Sequence, residues 1–366
     1  MTAPGTVGET VGVAPVRLEA HAAPAVLPSA PGSVDQALSE VVGWPADLRP
    51  GHGRTAHLWE LLATLGAADL AVARAVEPHL DALAILDQAD LPGAAGTTTA
   101  RSTWGVFAAE SPTAHLTATR TPGGAWQLDG TKPWCSLADR LDAALVTAHL
   151  PGDGDRRGLF VVDLRLGGVS GAMDGGWVAR GLHEIPSTPL RFDRVAATPV
   201  RDAGWYVDRP GFWWGAIGVA ACWYGGAVGV ARRVLDEARR RPDDQLLAMH
   251  LGAIDQRLAS ARAVLADAAR AVDLSGAATD GGRRPEAGPG RDAGRVLAKR
   301  ARAAVAGACE GVLHSAGHAL GPGPLTQEDD HAKRVADLQV YVRQHHAERD
   351  DVSLGRALLA RPGAPW

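Results

Sequence analysis

The residues best suited to chemistry lie at Lys132-Pro133-Trp134-Cys135-Ser136, with a short polar turn, Ala109-Glu110-Ser111-Pro112, upstream of them. An indole beside a small hydroxyl suits a flat ring with a polar edge, such as a flavin. The aromatic group walls the ring, while O–H and backbone N–H groups meet its heteroatoms. Trp134 and Ser136 are therefore the leading candidate contacts; the plain alternative is a core tryptophan beside a turn serine. Between the two segments, the alternating runs Leu116–Arg120 and Ala125–Leu128 flank Pro122-Gly123-Gly124, which predicts a β-hairpin.

Other constellations carry less. Glu328-Asp329-Asp330-His331 has the Glu-x-x-His spacing of di-iron bundles, but no second copy exists and no metal site is expected. Gly225-Gly226-Ala227-Val228-Gly229 lacks both a preceding strand and an acidic ribose partner, so it is no dinucleotide fingerprint. There is no nucleophile elbow and no Walker loop.

The elements that must position these residues fall into three groups. Ser33 to Gln88 reads as helix, with Leu58, Leu61, Leu62 and Leu65 on one stripe. Pro92-Gly93-Ala94-Ala95-Gly96 breaks the pattern, and Arg101 to Val200 is turn-rich with short apolar runs. Two of those runs predict strands, Leu141–Ala148 an apolar one and Leu159–Leu164 a buried one. Pro210 to Leu359 returns to helix, interrupted by an expected long loop from Ser275 to Asp292. The fold class is α+β, and the expected units are a mobile arm (1–32), a helical domain (33–100), a β-domain (101–205) and a C-terminal helical bundle (206–366).

Bulk properties narrow the function. The chain has 366 residues, 46% hydrophobic and 21% charged, with net charge −4, which argues against a nucleic-acid partner. Cys135, Cys222 and Cys309 are far apart and form no framework, as expected of free thiols in a reducing cytoplasm. Phe212 to Ala231 carries no charge over about 20 residues, long enough to cross a bilayer. Its Trp and Tyr residues form no paired interfacial belts, so a buried bundle helix is expected and no membrane partner.

These segments, in order, resemble the acyl-CoA dehydrogenase superfamily. Ala109-Glu110-Ser111-Pro112-Thr113-Ala114-His115 stands where that family has Thr-Glu-Pro-x-x-Gly-Ser. Asp129-Gly130-Thr131-Lys132-Pro133-Trp134-Cys135-Ser136 stands for its Asn-Gly-x-Lys-x-Trp-Ile-Thr, and Gly181–Val195 resembles its Gly-rich turn and following strand. The resemblance covers roughly Leu58 to Gly355 and implies a helical N-terminal domain, a central β-barrel and a C-terminal four-helix bundle. It also implies FAD as cofactor, a small-molecule substrate such as an acyl-CoA, and a homo-oligomer, dimer or tetramer.

Site residues carry over position by position. Ser136 takes the place of a threonine, Ala109 that of a hydroxyl near the flavin, and His115 that of a pyrophosphate-binding serine, with backbone N–H groups near Phe107 as substitutes. His314 to Gly317 takes the place of a segment that reaches a neighbouring subunit's cofactor. The catalytic glutamate's position falls on His345, with His346 as the fallback; the plain alternative is a self-paired polar helix face. A second glutamate position falls near Gly215 and Ala216. The expected function is FAD-dependent desaturation of an acyl thioester. The alternatives are a flavin-dependent monooxygenase on the same fold and a non-catalytic binding or assembly protein.

Overall fold

The computed structural model describes residues 14–19, 31–91, 102–171, 176–277 and 289–363, apart from 46, 153, 155 and 210. Helices α1 (Val34–Val41), α2 (Thr55–Ala68) and α3 (Leu70–Gln88) come first. Strands β1 (Trp104–Phe107), β2 (Leu116–Arg120), β3 (Trp126–Ser136), β4 (Ala143–His149), β5 (Arg157–Asp163), β6 (Val169–Gly171) and β7 (Ser187–Pro199) follow. A short α4 (Trp205–Asp208) leads into the long helices α5 (Gly211–Arg240), α6 (Gln245–Ala277) and α7 (Pro289–Leu320). The last elements are α8 (Gly323–Gln327), α9 (Asp329–Tyr341), a 3-10 turn at Val342–Gln344, and α10 (Glu348–Leu359).

Local signals account for most of these boundaries. Asp69 sits in extended conformation between α2 and α3 and caps α3 by accepting from the Ala71 N–H at 2.7 Å. The hairpin forms as expected, with Leu116 opposite Gly130 and Arg120 opposite Trp126. β4 pairs with β5 along one edge and with β1 and then β2 along the other, so the sheet closes into a barrel through β3 and β7. Ala144, Val146 and Ala148 face the main core, whereas Ala143 and Leu145 join Ala82, Ile85 and Leu86 of α3 in a second cluster. A strand buried on both faces reads as a continuous apolar run, as the Leu141–Ala148 segment does. The Trp104 N–H donates to His79 Nδ1 at 3.2 Å, and burial pushes that imidazole down to about 4, so it serves as a neutral acceptor locking α3 to the barrel.

The apolar helix within Phe212–Ala231 is the core of the bundle. It packs against α2, α6, α7 and α9, and 78% of its most apolar window is buried inside the fold. That burial accounts for its composition.

Two sequence expectations change. Residues 14–19 are held rather than mobile: Val16 and Leu18 are buried, the Val16 N–H donates to Thr64 Oγ1 at 2.9 Å, and the Leu18 N–H to Glu60 Oε1 at 2.7 Å. The segment satisfies two polar side chains that α2 would otherwise bury alone. The expected Ser275–Asp292 loop is helical at both ends, since α6 continues to Ala277 and α7 starts at Pro289. Its middle, residues 1–13 and 20–30 of the N-terminal arm and the Pro92–Gly96 break lie outside the described residues.

Inside the barrel, Lys132 is 1% exposed and donates to Glu110 Oε1 at 2.6 Å and to Thr147 Oγ1 at 2.8 Å. Burial alone would neutralise this amine; the carboxylate beside it opposes that. Breaking the pair leaves a half-buried carboxylate with less compensation. Lys132→Met is therefore expected to cost about 3–5 kcal/mol, read from denaturant unfolding, and adding Glu110→Gln should recover part of it. Equal stability of Lys132→Met and the parent would show the pair to be dispensable.

Candidate active site

The β3–β7 register shifts once between Leu128 and Gly130 and again after Lys132: β3 resumes at Cys135, while β7 advances only from Leu190 to Thr188. Pro133 and Trp134 thus face a single residue, which makes a β-bulge. Proline fits there because it has no N–H to offer the ladder. Trp134 takes the left-handed conformation (φ 58°), and its side chain is 59% exposed instead of entering the barrel. The core-tryptophan alternative therefore does not hold.

Trp134 borders a cavity of about 720 Å³ between the barrel, α3, α4, α5 and the end of α9. Ala109, Glu110, Ser136 and Ser187 line it from the barrel side. Gly215, Ala216 and Val219 of α5, and Tyr341 with Gln344, close it from the bundle side. Ser136 is mostly buried and its hydroxyl is already engaged. Arg74 Nη2 donates to Ser136 Oγ at 2.9 Å, and Ser187 Oγ lies 2.7 Å away while itself donating to the Ile185 carbonyl. The Ser136 O–H must then donate to Ser187, so the polar edge of the cavity is an Arg74–Ser136–Ser187 relay rather than one hydroxyl.

Among the residues picked from sequence, Ala109, Trp134, Ser136 and His346 line this cavity. Phe107 is buried in the barrel core next to a far smaller void of about 10 Å³. His115 is exposed on the outside of the hairpin, where its carbonyl accepts from the Thr131 N–H at 2.7 Å. His314 and Gly317 lie exposed near the end of α7, with the His314 ring 4.3 Å from His318, and neither borders the cavity. His345 also stands aside from the lining. Its Nε2 is buried, 3.8 Å from Asp350 Oδ2, and burial lowers its pKa. The 3-10 turn that separates the two histidines from α9 is held by Arg302, which donates to the Gln344 and Ala216 carbonyls at 2.8 Å each.

The cavity also holds groups that sequence reading passed over. Arg74, Glu77 and Asp81 occupy one stripe of α3 and all reach it. Asp81 faces Arg209, whose Nη2 is 3.5 Å from Oδ1, and Arg209 also donates to Gln88 at 2.9 Å. Gly215 makes room for this carboxylate, because a Cβ there would lie 2.6 Å from Asp81 Oδ1. Glu77 is buried and has no ion pair or hydrogen bond among the described residues. Burial first, and the Asp81 charge second, push its carboxyl from the ordinary 4.5 up to about 8 against the pull of Arg74 and Arg302. The signal was present in the sequence as three charged residues, three and four apart, in the mostly apolar first two-thirds of α3.

No family model and no curated protein matches the chain. Solved structures do. KijD3, in complex with FMN and dTDP-3-amino-2,3,6-trideoxy-4-keto-3-methyl-D-glucose, is 19% identical with a TM-score of 0.71, over 88% of this chain and 83% of that one. Butyryl-CoA dehydrogenase from Megasphaera elsdenii is 17% identical with a TM-score of 0.71, over 89% of both chains. Dibenzothiophene monooxygenase (TdsC) from Paenibacillus sp. A11-2 is 18% identical with a TM-score of 0.69, over 85% and 84%. These likenesses show the fold: the chain has the acyl-CoA dehydrogenase-like architecture of N-terminal helices, central β-barrel and C-terminal helical bundle.

Proposed function

We propose that this protein is a flavin-dependent oxidoreductase acting on a small organic molecule, with the flavin ring against Trp134 in the cavity. The observation that carries the reading is the bulge that turns an indole out of the barrel and into that space. The volume of about 720 Å³ lies within the range of roughly 300–1,000 Å³ usual for cofactor and ligand sites. Trp134 would wall the ring, and the Arg74–Ser136–Ser187 relay would meet its heteroatoms. When bound, the flavin supplies two-electron redox chemistry. KijD3 was solved with FMN, and TdsC also has an FMN-bound structure. FAD, implied by the sequence resemblance, shares the same ring, and chromatography of the extracted cofactor distinguishes the two.

Oxygenation is the reaction the geometry supports best. Desaturation of an acyl thioester needs an ionised base to take the α-proton. The two positions expected to supply it carry His345, which stands aside from the cavity, and the Gly215–Ala216 pair. Three carboxyls line the cavity: Glu110 is tied to Lys132, Asp81 faces Arg209, and Glu77, which has neither kind of partner among the described residues, keeps its proton up to about pH 8. Near neutrality the cavity thus offers an acid. Desaturation is the second reading, favoured by His346 on the cavity wall.

The purified protein, incubated with FMN or FAD, is expected to turn yellow. Trp134→Ala should weaken flavin binding at least tenfold, about 1.4 kcal/mol. Oxygen consumption that requires both a flavin reductase and substrate supports oxygenation; anaerobic bleaching by an acyl-CoA supports desaturation. A protein that stays colourless with both flavins sinks the proposal in favour of a non-catalytic role.

A further inference from the structure

Glu77 and Asp81 are unusual among the charged groups of this fold. Both lie on the cavity face of α3, one turn apart, and both are removed from bulk water. Two carboxylates so placed cannot both ionise cheaply, so the pair titrates as a unit. Arg209 decides which member carries the charge. It is 2% exposed and reaches Asp81 Oδ1, while no cation among the described residues forms an ion pair with Glu77. Burial raises both carboxyls, but Arg209 pulls only Asp81 back down, so Asp81 is the member that takes the charge and Glu77 the one that keeps the proton.

We propose that Glu77 is the proton donor of this cavity, with Asp81 and Arg209 as the positioning pair that keeps it protonated; this rests on the flavin-oxygenase reading. The chemistry balances as follows. Molecular oxygen gives one atom to the substrate and releases the other as water. A reduced flavin, supplied by a reductase, would contribute two electrons and one proton, and water formation takes one further proton. The Glu77 O–H bond breaks to supply it, and solvent returns a proton afterwards. The charge left behind is favoured through space by Arg74, the preceding polar residue on the same stripe, and by Arg302 of α7.

The buried thiol and phenols around Glu77 do not compete for this role, which leaves His346 on the cavity wall as the rival donor. Cys222 of α5 and Tyr341 of α9 are both held neutral by burial, well above their ordinary values. Tyr206 of α4 is likewise raised by burial. None of them releases a proton before Glu77 does.

Two measurements test the proposal. In the flavin-free protein, infrared spectroscopy should show a protonated carboxyl band that disappears on titration through about pH 8 and is absent in Glu77→Gln. In the flavin-loaded protein with reductase and substrate, Glu77→Gln should lower product formation about 10²–10⁴-fold with flavin affinity unchanged, and remove the alkaline fall in the pH–rate profile. Glu77→Asp should restore part of the rate. Absence of the band, or a Glu77→Gln variant matching the parent in rate and profile, overturns Glu77 as donor while leaving the flavin reading intact. A parent that binds neither flavin overturns both.

Discussion

Replacing Gly225 with alanine is expected to abolish the native fold. A Cβ at this position would lie 2.1 Å from the Ala63 carbonyl oxygen and 2.7 Å from its carbon. Those are backbone atoms of α2, so relief requires one helix to move off the other, not a side chain to rotate. The same crossing is tight from the opposite side, where a Cβ on Gly66 would meet the Cys222 carbonyl oxygen at 2.6 Å. α5 is the central helix of the bundle, and pushing α2 away opens the core around Trp59, Leu62 and Trp223. A loss above about 4 kcal/mol is expected, seen as insoluble protein or a collapsed thermal transition. Gly226→Ala is the control: its Cβ would meet the side chain of Leu70, nearest at a methyl 2.5 Å away, instead of backbone, and the expected cost is about 1 kcal/mol. Equal stability of the two variants would contradict the close crossing.

The second large effect is expected from pH acting through Glu77. Its carboxyl titrates at 4.5 in the unfolded chain and is pushed up to about 8 in the fold. Below the lower value both states hold the proton and the group contributes no pH dependence. Between the two values the folded state binds the proton and the unfolded state does not, so stability falls as pH rises, and the loss is complete above about 8. Glu77→Gln cannot ionise. The variant should match the parent in acid and gain on it steadily, by a few kcal/mol at the alkaline end, a rise in Tm on the order of 5 °C. Thermal melts of both proteins across the window provide the check. Parallel curves would mean that Glu77 ionises normally in the fold.

The hairpin was legible because a turn signal between two alternating runs is a local pattern. β4 was legible too, although its double burial came from α3, an element roughly 60 residues away in the chain, which no window around the strand contains. Trp134 and Ser136 were picked by spacing, yet spacing does not say which way a tryptophan points. That depended on a register shift against β7, more than 50 residues downstream. The stretch from 14 to 19 looked like a loose arm for a similar reason: the groups that hold it are single polar residues buried in α2.

The histidines show the converse. His345 and His346 are neighbours in sequence, but the extended conformation at His345 and the positive φ at Ala347 end the helical run, so only His346 borders the cavity. His314 and Gly317 were aligned with a segment that reaches a cofactor, and they lie on an exposed end of α7.

By itself, the sequence determined the succession of helices, barrel strands and bundle helices, because periodicity and turn chemistry act over a few residues. It also contained the Arg74, Glu77 and Asp81 stripe, but as three charges on a helix with no stated surroundings. Only the tertiary structure decided that this stripe meets Trp134 and Ser136 across one cavity, that Gly215 leaves room for Asp81, and that Arg209 settles which carboxyl keeps its proton. The physical reason is that desolvation and charge coupling depend on which elements pack together, and those distances are set between segments far apart in the chain.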